Sequence, residues 1–84
     1  MEKRKYNRIK AVLAELGVTN AELSKNINRN KVSVSRWCTN DAQPSLEILY
    51  EIAEFLGVSV KDLLIDNKKD WKNMTRPISS IYYL

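Results

Sequence analysis

The sequence predicts an all-α domain of five short helices with a C-terminal extension. Apolar residues recur at helical spacing, capping residues stand in front of those stretches, and no two stretches alternate in a way that predicts paired strands. The 84 residues are 44% hydrophobic, which is enough for one small core. We therefore expect residues 1–65 to form one domain and residues 66–84 to extend from it.

The first helix is predicted over residues 7–16. Its apolar stripe, at i, i+3, i+4 and i+7, consists of Ile9, Val12, Leu13 and Leu16. Asn7 is a candidate N-cap, and Gly17 ends the helix as a C′ residue does. These signals together fix both ends of the helix.

The second helix is predicted over residues 20–27, because Thr19 and Glu22 have the spacing of a capping box. Leu23 and Ile27 lie one turn apart on its inner face. Asn28 follows, and asparagine adopts positive φ at low cost, so we expect a tight turn there.

Residues 32–35, Val-Ser-Val-Ser, alternate in the manner of a strand. A strand would mix apolar and polar groups on both faces and would have no neighbour to pair with. A helix capped by Asn30 instead places Val34, Trp37 and Cys38 on one inner stripe and leaves Val32 outside. The sequence thus predicts a third helix over residues 31–39.

The last two helices also begin at capping residues. Ser45 precedes a helix over residues 46–56, and Ser59 and Asp62 form a second capping box. The stripe of the longer helix consists of Leu46, Leu49, Ile52, Ala53 and Leu56. We expect the final helix to continue through Leu64.

The charge pattern predicts a basic side. Residues 1–40 carry nine Lys and Arg against three Asp and Glu, whereas residues 41–65 carry one against five. This asymmetry fits either a surface that faces a polyanion or a solvated surface of mixed sign.

The composition argues against an enzyme. The chain has no histidine, which excludes Ser-His and Cys-His catalysis and most zinc and haem sites, and it has no Gly-rich phosphate loop. We therefore expect no catalytic residues, no metal and no cofactor. A single cysteine excludes an internal disulfide, and no signal peptide or membrane span is evident, so a cytoplasmic protein is expected.

A short capped helix, a tight turn and a second helix with a basic, hydroxyl-bearing face form the layout of a helix-turn-helix. The run "TNAELSKNINRNKVSVSRWCTNDAQPSLEILYEIAEFLGVSVKDLL" resembles the Cro/C1-type (XRE-like) helix-turn-helix repressors. The most specific part is "QPSLEILYEIAEFLGVSVKDLL". The resemblance covers residues 6–65 and implies a compact five-helix, lambda-repressor-like DNA-binding domain with helices 2 and 3 as the helix-turn-helix.

Four positions depart from the pattern of this family. Asn20 replaces a common glutamine, Asn28 replaces the turn glycine, and Arg29 replaces an apolar turn residue. Cys38 replaces a glutamate near the end of helix 3, which we expect to remove an intramolecular polar link.

The resemblance implies sequence-specific binding of double-stranded DNA, with helix 3 in the major groove. The candidate base contacts are Lys31, Val32, Ser33 and Arg36. The candidate phosphate contacts are Asn20, Arg29, Asn30, Ser35, Thr39, Asn40 and Gln43. The predicted core of the motif consists of Leu23, Ile27, Val34, Trp37 and Cys38.

These residues also have simpler interpretations. Arg36 could pair with an acid on helix 4, Val32 could fill a gap or contact a thymine methyl, and Ser35 could bond its i−4 carbonyl. Cys38 is interpreted as a core residue rather than a redox group.

Two functions remain open from the sequence. One is a transcriptional regulator, a repressor that binds a palindromic operator as a homodimer. The other is an antitoxin or accessory module whose tail, residues 71–84, binds a partner protein. The apolar end of that tail could instead pack on its own domain, and we hypothesise that it takes part in self-association.

Overall fold

The computed structural model describes residues 4–67. They form four α-helices, α1 (Ile9–Leu16), α2 (Asn20–Asn26), α3 (Lys31–Cys38) and α4 (Leu46–Leu56), and a 3₁₀ helix (Val60–Leu63). The described part is all-α and contains no strand longer than one isolated bridge. The predicted extension over residues 66–84 lies almost entirely outside the described residues.

The caps fix the helix ends as the sequence predicts. Thr19 and Ser59 each make a capping box, and Ser45 accepts a hydrogen bond from the Ile48 amide at 3.2 Å. Gly17 and Gly57 both have φ of 71°, the left-handed conformation that closes α1 and α4. Local capping chemistry therefore determines most of the boundaries.

The prediction of a fifth α-helix is wrong. The segment is a 3₁₀ helix that ends at Leu63, and Leu64 is extended with φ of −112° and ψ of 152°. The Leu63 carbonyl accepts a hydrogen bond from the Arg8 amide, and the Ile65 amide donates to the Tyr6 carbonyl, both at 2.9 Å. These tertiary hydrogen bonds compete successfully with a helix too short to be stable alone.

The predicted start of the first helix is also two residues early. Asn7 forms an antiparallel bridge with Leu64, and α1 begins at Ile9. Asn7 still satisfies a free helix amide, because its Oδ1 accepts from the Ile9 N–H at 3.0 Å. Bridging and capping are thus combined in one residue.

One core lies between the helices. It consists of Ile9, Val12, Leu13, Leu23, Ile27, Val34, Trp37, Cys38, Leu49, Ile52, Ala53 and Leu63. The predicted stripe residues Leu16 and Leu46 are instead 47% and 65% exposed, since each lies at the edge of its helix stripe. Within residues 4–67, no helix is long and apolar enough to cross a membrane.

Candidate nucleic-acid interface

The turn between α2 and α3 is held by backbone and cap hydrogen bonds. Asn28 has φ of 56°, and the Arg29 amide donates to the Ser24 carbonyl at 2.9 Å. Asn30 Oδ1 then accepts from the amides of Val32 at 2.7 Å and Ser33 at 3.4 Å. The turn therefore fixes the direction in which α3 leaves α2.

Helix α3 has a buried face and an exposed face. All five residues predicted for the core of the motif are buried: Leu23, Ile27, Val34, Trp37 and Cys38. On the opposite side, Lys31, Val32, Ser35 and Arg36 are exposed, and Ser33 is half-buried. Val34 is fully buried whereas Val32 is 67% exposed, so the alternating Val-Ser-Val-Ser stretch is a helix whose two valines face opposite ways.

The outer face of α3 is basic and contains no acid of its own. Arg8 pairs with Glu15 and Arg29 pairs with Glu51, and among the described residues no ion pair joins Arg36 to an acid of α4. The Arg36 guanidinium and the Lys31 ammonium are therefore presented to solvent next to an exposed valine and an exposed serine.

Arg29 is engaged differently from the predicted phosphate contact. Its Nη2 lies 3.1 Å and 3.3 Å from the two carboxylate oxygens of Glu51 on α4. Both side chains are about two-fifths exposed, at 42% and 41%. An ion pair thus replaces the apolar anchor expected at this turn position, and it offsets the charge that a phosphate contact would use.

Asn20 and Cys38 make the polar link that the sequence comparison expected to be absent. The Cys38 thiol donates to Asn20 Oδ1 across 3.3 Å, joining the start of α2 to the end of α3. Burial raises the pKa of the Cys38 thiol, and the nearby Lys10 ammonium partly opposes this shift. The thiol therefore stays protonated at neutral pH and can donate to Asn20.

Asn40, one of the predicted phosphate contacts, makes several hydrogen bonds inside the domain. It is only 8% exposed and has φ of 63°. Its Oδ1 accepts from the backbone amides of Tyr6 and Asn7 at 2.9 and 3.1 Å, and its Nδ2 donates to the Asn7 carbonyl at 3.0 Å. These bonds occupy the side-chain oxygen and one of the two amide protons of Asn40, and its predicted phosphate contact stays a prediction.

Gln43 and Thr39, two further predicted phosphate contacts, are exposed but also make hydrogen bonds within the domain. Gln43 Oε1 accepts from Asn7 Nδ2 at 2.7 Å, and Gln43 Nε2 donates to Asn40 Oδ1 at 3.0 Å. The Thr39 hydroxyl lies 2.6 Å from a carboxylate oxygen of Asp41. The same hydroxyl lies 3.2 Å from the Arg36 carbonyl, and the phosphate contacts predicted for Thr39 and Gln43 stay predictions.

A basic groove beside the end of α3 was missed by the sequence reasoning. It is lined by Lys5, Asn7, Arg8, Lys10, Ala11, Ala14, Cys38, Thr39, Asn40 and Ile65, with no acidic side chain among them. The sequence does show a run of basic residues near the N-terminus. The position of this run next to α3 depends on the contact between Asn7 and Asn40, which the sequence does not reveal.

The family model described as "Helix-turn-helix" matches residues 9–63. The chain belongs to the Cro/C1-type helix-turn-helix family. The match includes all four α-helices and the 3₁₀ helix, so the Cro/C1-type architecture accounts for nearly the whole described fold.

Solved structures agree with this membership. A candidate DNA-binding protein from Bacteroides fragilis is 44% identical, with a TM-score of 0.69 over 70% of this chain and 95% of that one. A transcriptional regulator from Listeria innocua has a TM-score of 0.57 at 18% identity, over 92% of this chain and 85% of that one, which shows the fold alone. No curated protein matches the chain.

Membership of the Cro/C1-type helix-turn-helix family supports a DNA-binding regulator, a type of protein that is generally not enzymatic. Within residues 4–67, no three His, Cys, Asp or Glu side chains are grouped as a metal site would require. The exposed side of α3 is the candidate DNA-contacting surface of this domain.

Proposed function

We propose that this protein is a sequence-specific, double-stranded DNA-binding transcriptional regulator that reads the major groove with α3. The observation that carries the proposal is the exposed, acid-free face of α3 formed by Lys31, Val32, Ser35 and Arg36. An α-helix with such a face fits the width of the major groove. The buried opposite face anchors the helix to the domain.

Each base contact follows from the chemistry of its side chain. Arg36 presents a planar guanidinium, which bonds two acceptors of guanine at once. Val32 offers methyl groups to a thymine methyl, and Lys31 reaches either a base or a phosphate. Ser33 is half-buried, so its hydroxyl contributes only at the near edge of the groove.

The phosphate contacts are proposed for both ends of the motif. Asn20 at the start of α2, Asn30 at the start of α3 and the exposed Ser35 are retained from the sequence prediction. Lys5 and Lys10 in the basic groove take over from Asn40 and Gln43, whose amides bond within the domain. Ammonium groups in an acid-free groove contribute sequence-independent affinity.

A homodimer on a palindromic operator is the proposed binding unit. One α3 offers about four candidate base contacts, whereas useful specificity requires more of them. Two domains related by two-fold symmetry would place their α3 helices in successive major grooves, about 34 Å apart. Such a dimer on a promoter would repress transcription by occupying it.

Selection of bound duplexes from a random pool tests the proposal. We expect an enriched palindromic motif whose affinity falls steeply as salt is raised. A pool that gains affinity without any motif would refute sequence-specific binding. A promoter reporter that carries the enriched motif then separates repression from activation.

A protein-interaction module is the second candidate. The apolar residues Ile78, Ile81 and Tyr82 near the C-terminus favour it, since such a segment is suited to a partner surface. In this case residues 71–84 would bind a partner, as in an antitoxin or accessory subunit. A stable complex without any enriched DNA motif would favour this function over the first.

A further inference from the structure

The solvent-facing side of α4 combines large apolar and acidic side chains. Leu46 and Tyr50 are 65% and 54% exposed, and Glu47 and Glu54 are exposed beside them. Leu46, Tyr50 and Glu54 follow one another at intervals of four residues and so form one line along the helix. These four residues are called the α4 face below.

The α4 face is strongly acidic because α4 contains three glutamates and no lysine or arginine. The charge of Glu51 is offset by its ion pair with Arg29. Glu47 and Glu54 therefore create a negative field around two exposed apolar side chains. An occupant that matches this surface must be both apolar and basic.

The chain itself carries a segment with that composition. Residues 68–84, which lie outside the described residues, contain four basic residues and one acid, interspersed with large apolar side chains. The basic residues are Lys68, Lys69, Lys72 and Arg76. Trp71 and Met74 lie among them, so the first half of the segment complements the α4 face in both charge and hydrophobicity.

The connection is short enough for a contact within one chain. The 3₁₀ helix packs against α4, and the described chain leaves it only four residues later, at Asn67. Seventeen further residues extend up to about 56 Å, at about 3.3 Å per residue, which exceeds the length of an eleven-residue helix. A short tether also gives the segment a high effective concentration at the α4 face.

We propose that residues 68–84 dock on the α4 face of their own chain. The apolar side chains of Trp71 and Met74 cover Leu46 and Tyr50, and the flanking lysines lie opposite Glu47 and Glu54. This contact shields the only large apolar pair on α4 that the described residues leave open on that side. It is independent of DNA binding and does not use α3.

A spin label on the full-length chain tests the docking. Cys38→Ser removes the single cysteine and keeps a hydroxyl donor for Asn20, and Ser80→Cys then provides one labelling site. We expect paramagnetic broadening of the amide signals of α4 and none on α2. Uniform broadening over the domain, or broadening confined to another element, would overturn the proposal.

A mixed sample distinguishes docking within one chain from docking between two chains. It contains ¹⁵N protein without a spin label and ¹⁴N protein that carries the spin label. Broadening in the mixture would assign the segment to a second copy and would refute docking within the chain. Loss of the α4 broadening only when another protein is added would leave the proposal intact, because that result shows competition for the same face.

Charge reversal provides the matched controls. Glu47→Lys with Glu54→Lys should abolish the broadening of α4, and adding Lys68→Glu, Lys69→Glu and Lys72→Glu should restore it. Glu15→Lys on α1 reverses an exposed acid outside the face and should leave the broadening unchanged. If the Glu47→Lys, Glu54→Lys protein is folded and its α4 signals are still broadened, the proposed charge complementarity is refuted.

Discussion

Asn7 and Asn40 are joined by a reciprocal pair of hydrogen bonds. The Asn40 amide side chain accepts from the Asn7 N–H at 3.1 Å and donates to the Asn7 carbonyl at 3.0 Å. The side chain of Asn40 therefore binds the backbone of Asn7 as a neighbouring strand would. This contact ties the loop after α3 to the segment before α1, across 33 residues of sequence.

Asn40→Ala should lower the free energy of unfolding by roughly 2–4 kcal/mol, because it leaves buried backbone groups unpaired and because alanine adopts positive φ less readily than asparagine does. Urea denaturation measures the loss. Asn40→Gly also lacks the amide but tolerates φ of 63°, so it should cost about 1 kcal/mol less than alanine. Equal stability of all three proteins would contradict the structural role of the pair.

Arg36→Ala should relax specificity at one base pair of the selected operator and cost about 1–3 kcal/mol of binding energy there. The exposed side chain makes no ion pair among the described residues, so unfolding should be unaffected. Binding to the operator and to single-base variants measures the effect. Asn20→Ala is the contrast, since it should weaken all sequences alike.

Glu51→Gln should strengthen DNA binding at low salt, because it releases the Arg29 guanidinium from its carboxylate partner. The slope of log affinity against log salt should steepen by about one counterion. The pair is partly exposed, so stability should fall by no more than about 1 kcal/mol. When Arg29→Ala is also present, Glu51→Gln should no longer strengthen DNA binding. If the stronger binding persists, it has a cause other than Arg29.

Lys10→Gln should weaken binding to every duplex and reduce the salt slope by about one. The residue lines the acid-free groove next to the end of α3. Lys61→Gln on the 3₁₀ helix removes the same charge away from that groove and is the matched control. Equal losses for the two variants would indicate a general charge effect rather than a phosphate contact in the groove.

The Cys38 thiol should make stability depend on pH in alkaline solution. Burial raises its pKa in the folded state, so the folded protein holds this proton more tightly than the unfolded chain. The stabilisation is complete below the unfolded pKa, near pH 9, and is lost as pH rises through the folded value. The difference in unfolding free energy between the native chain and Cys38→Ser, measured from about pH 7 upwards, should fall above about pH 9.

The sequence predicted the elements that local chemistry determines. The two capping boxes, the glycine ends of α1 and α4, and the positive φ of Asn28 follow from residue types at fixed spacing. The two faces of α3 followed from periodicity alone. The last helix and the start of the first helix were predicted wrongly. Both depend on hydrogen bonds between residues 6–8 and 63–65, which no local sequence pattern records.

The candidate site was less predictable because the polar residues compete for partners. Asn40, Gln43 and Arg29 are surface-type residues in a loop and a turn, and nothing in their spacing shows that Asn7 and Glu51 bind them. The asparagine at position 20 and the cysteine at position 38 each depart from the family pattern, yet together they restore a link between α2 and α3. Whether the remaining side chains contact DNA stays a prediction.

The bridge between Asn7 and Leu64 makes both ends of the described chain emerge at one place. Lys5 and Ile65 line the same groove as Thr39 at the end of α3. A fluorescent protein or affinity tag joined directly before Arg4 or directly after Asn67 would therefore start close to the proposed DNA surface in both cases. Moving such a fusion from one of these two points to the other should bring no relief from steric interference, whereas a longer linker should.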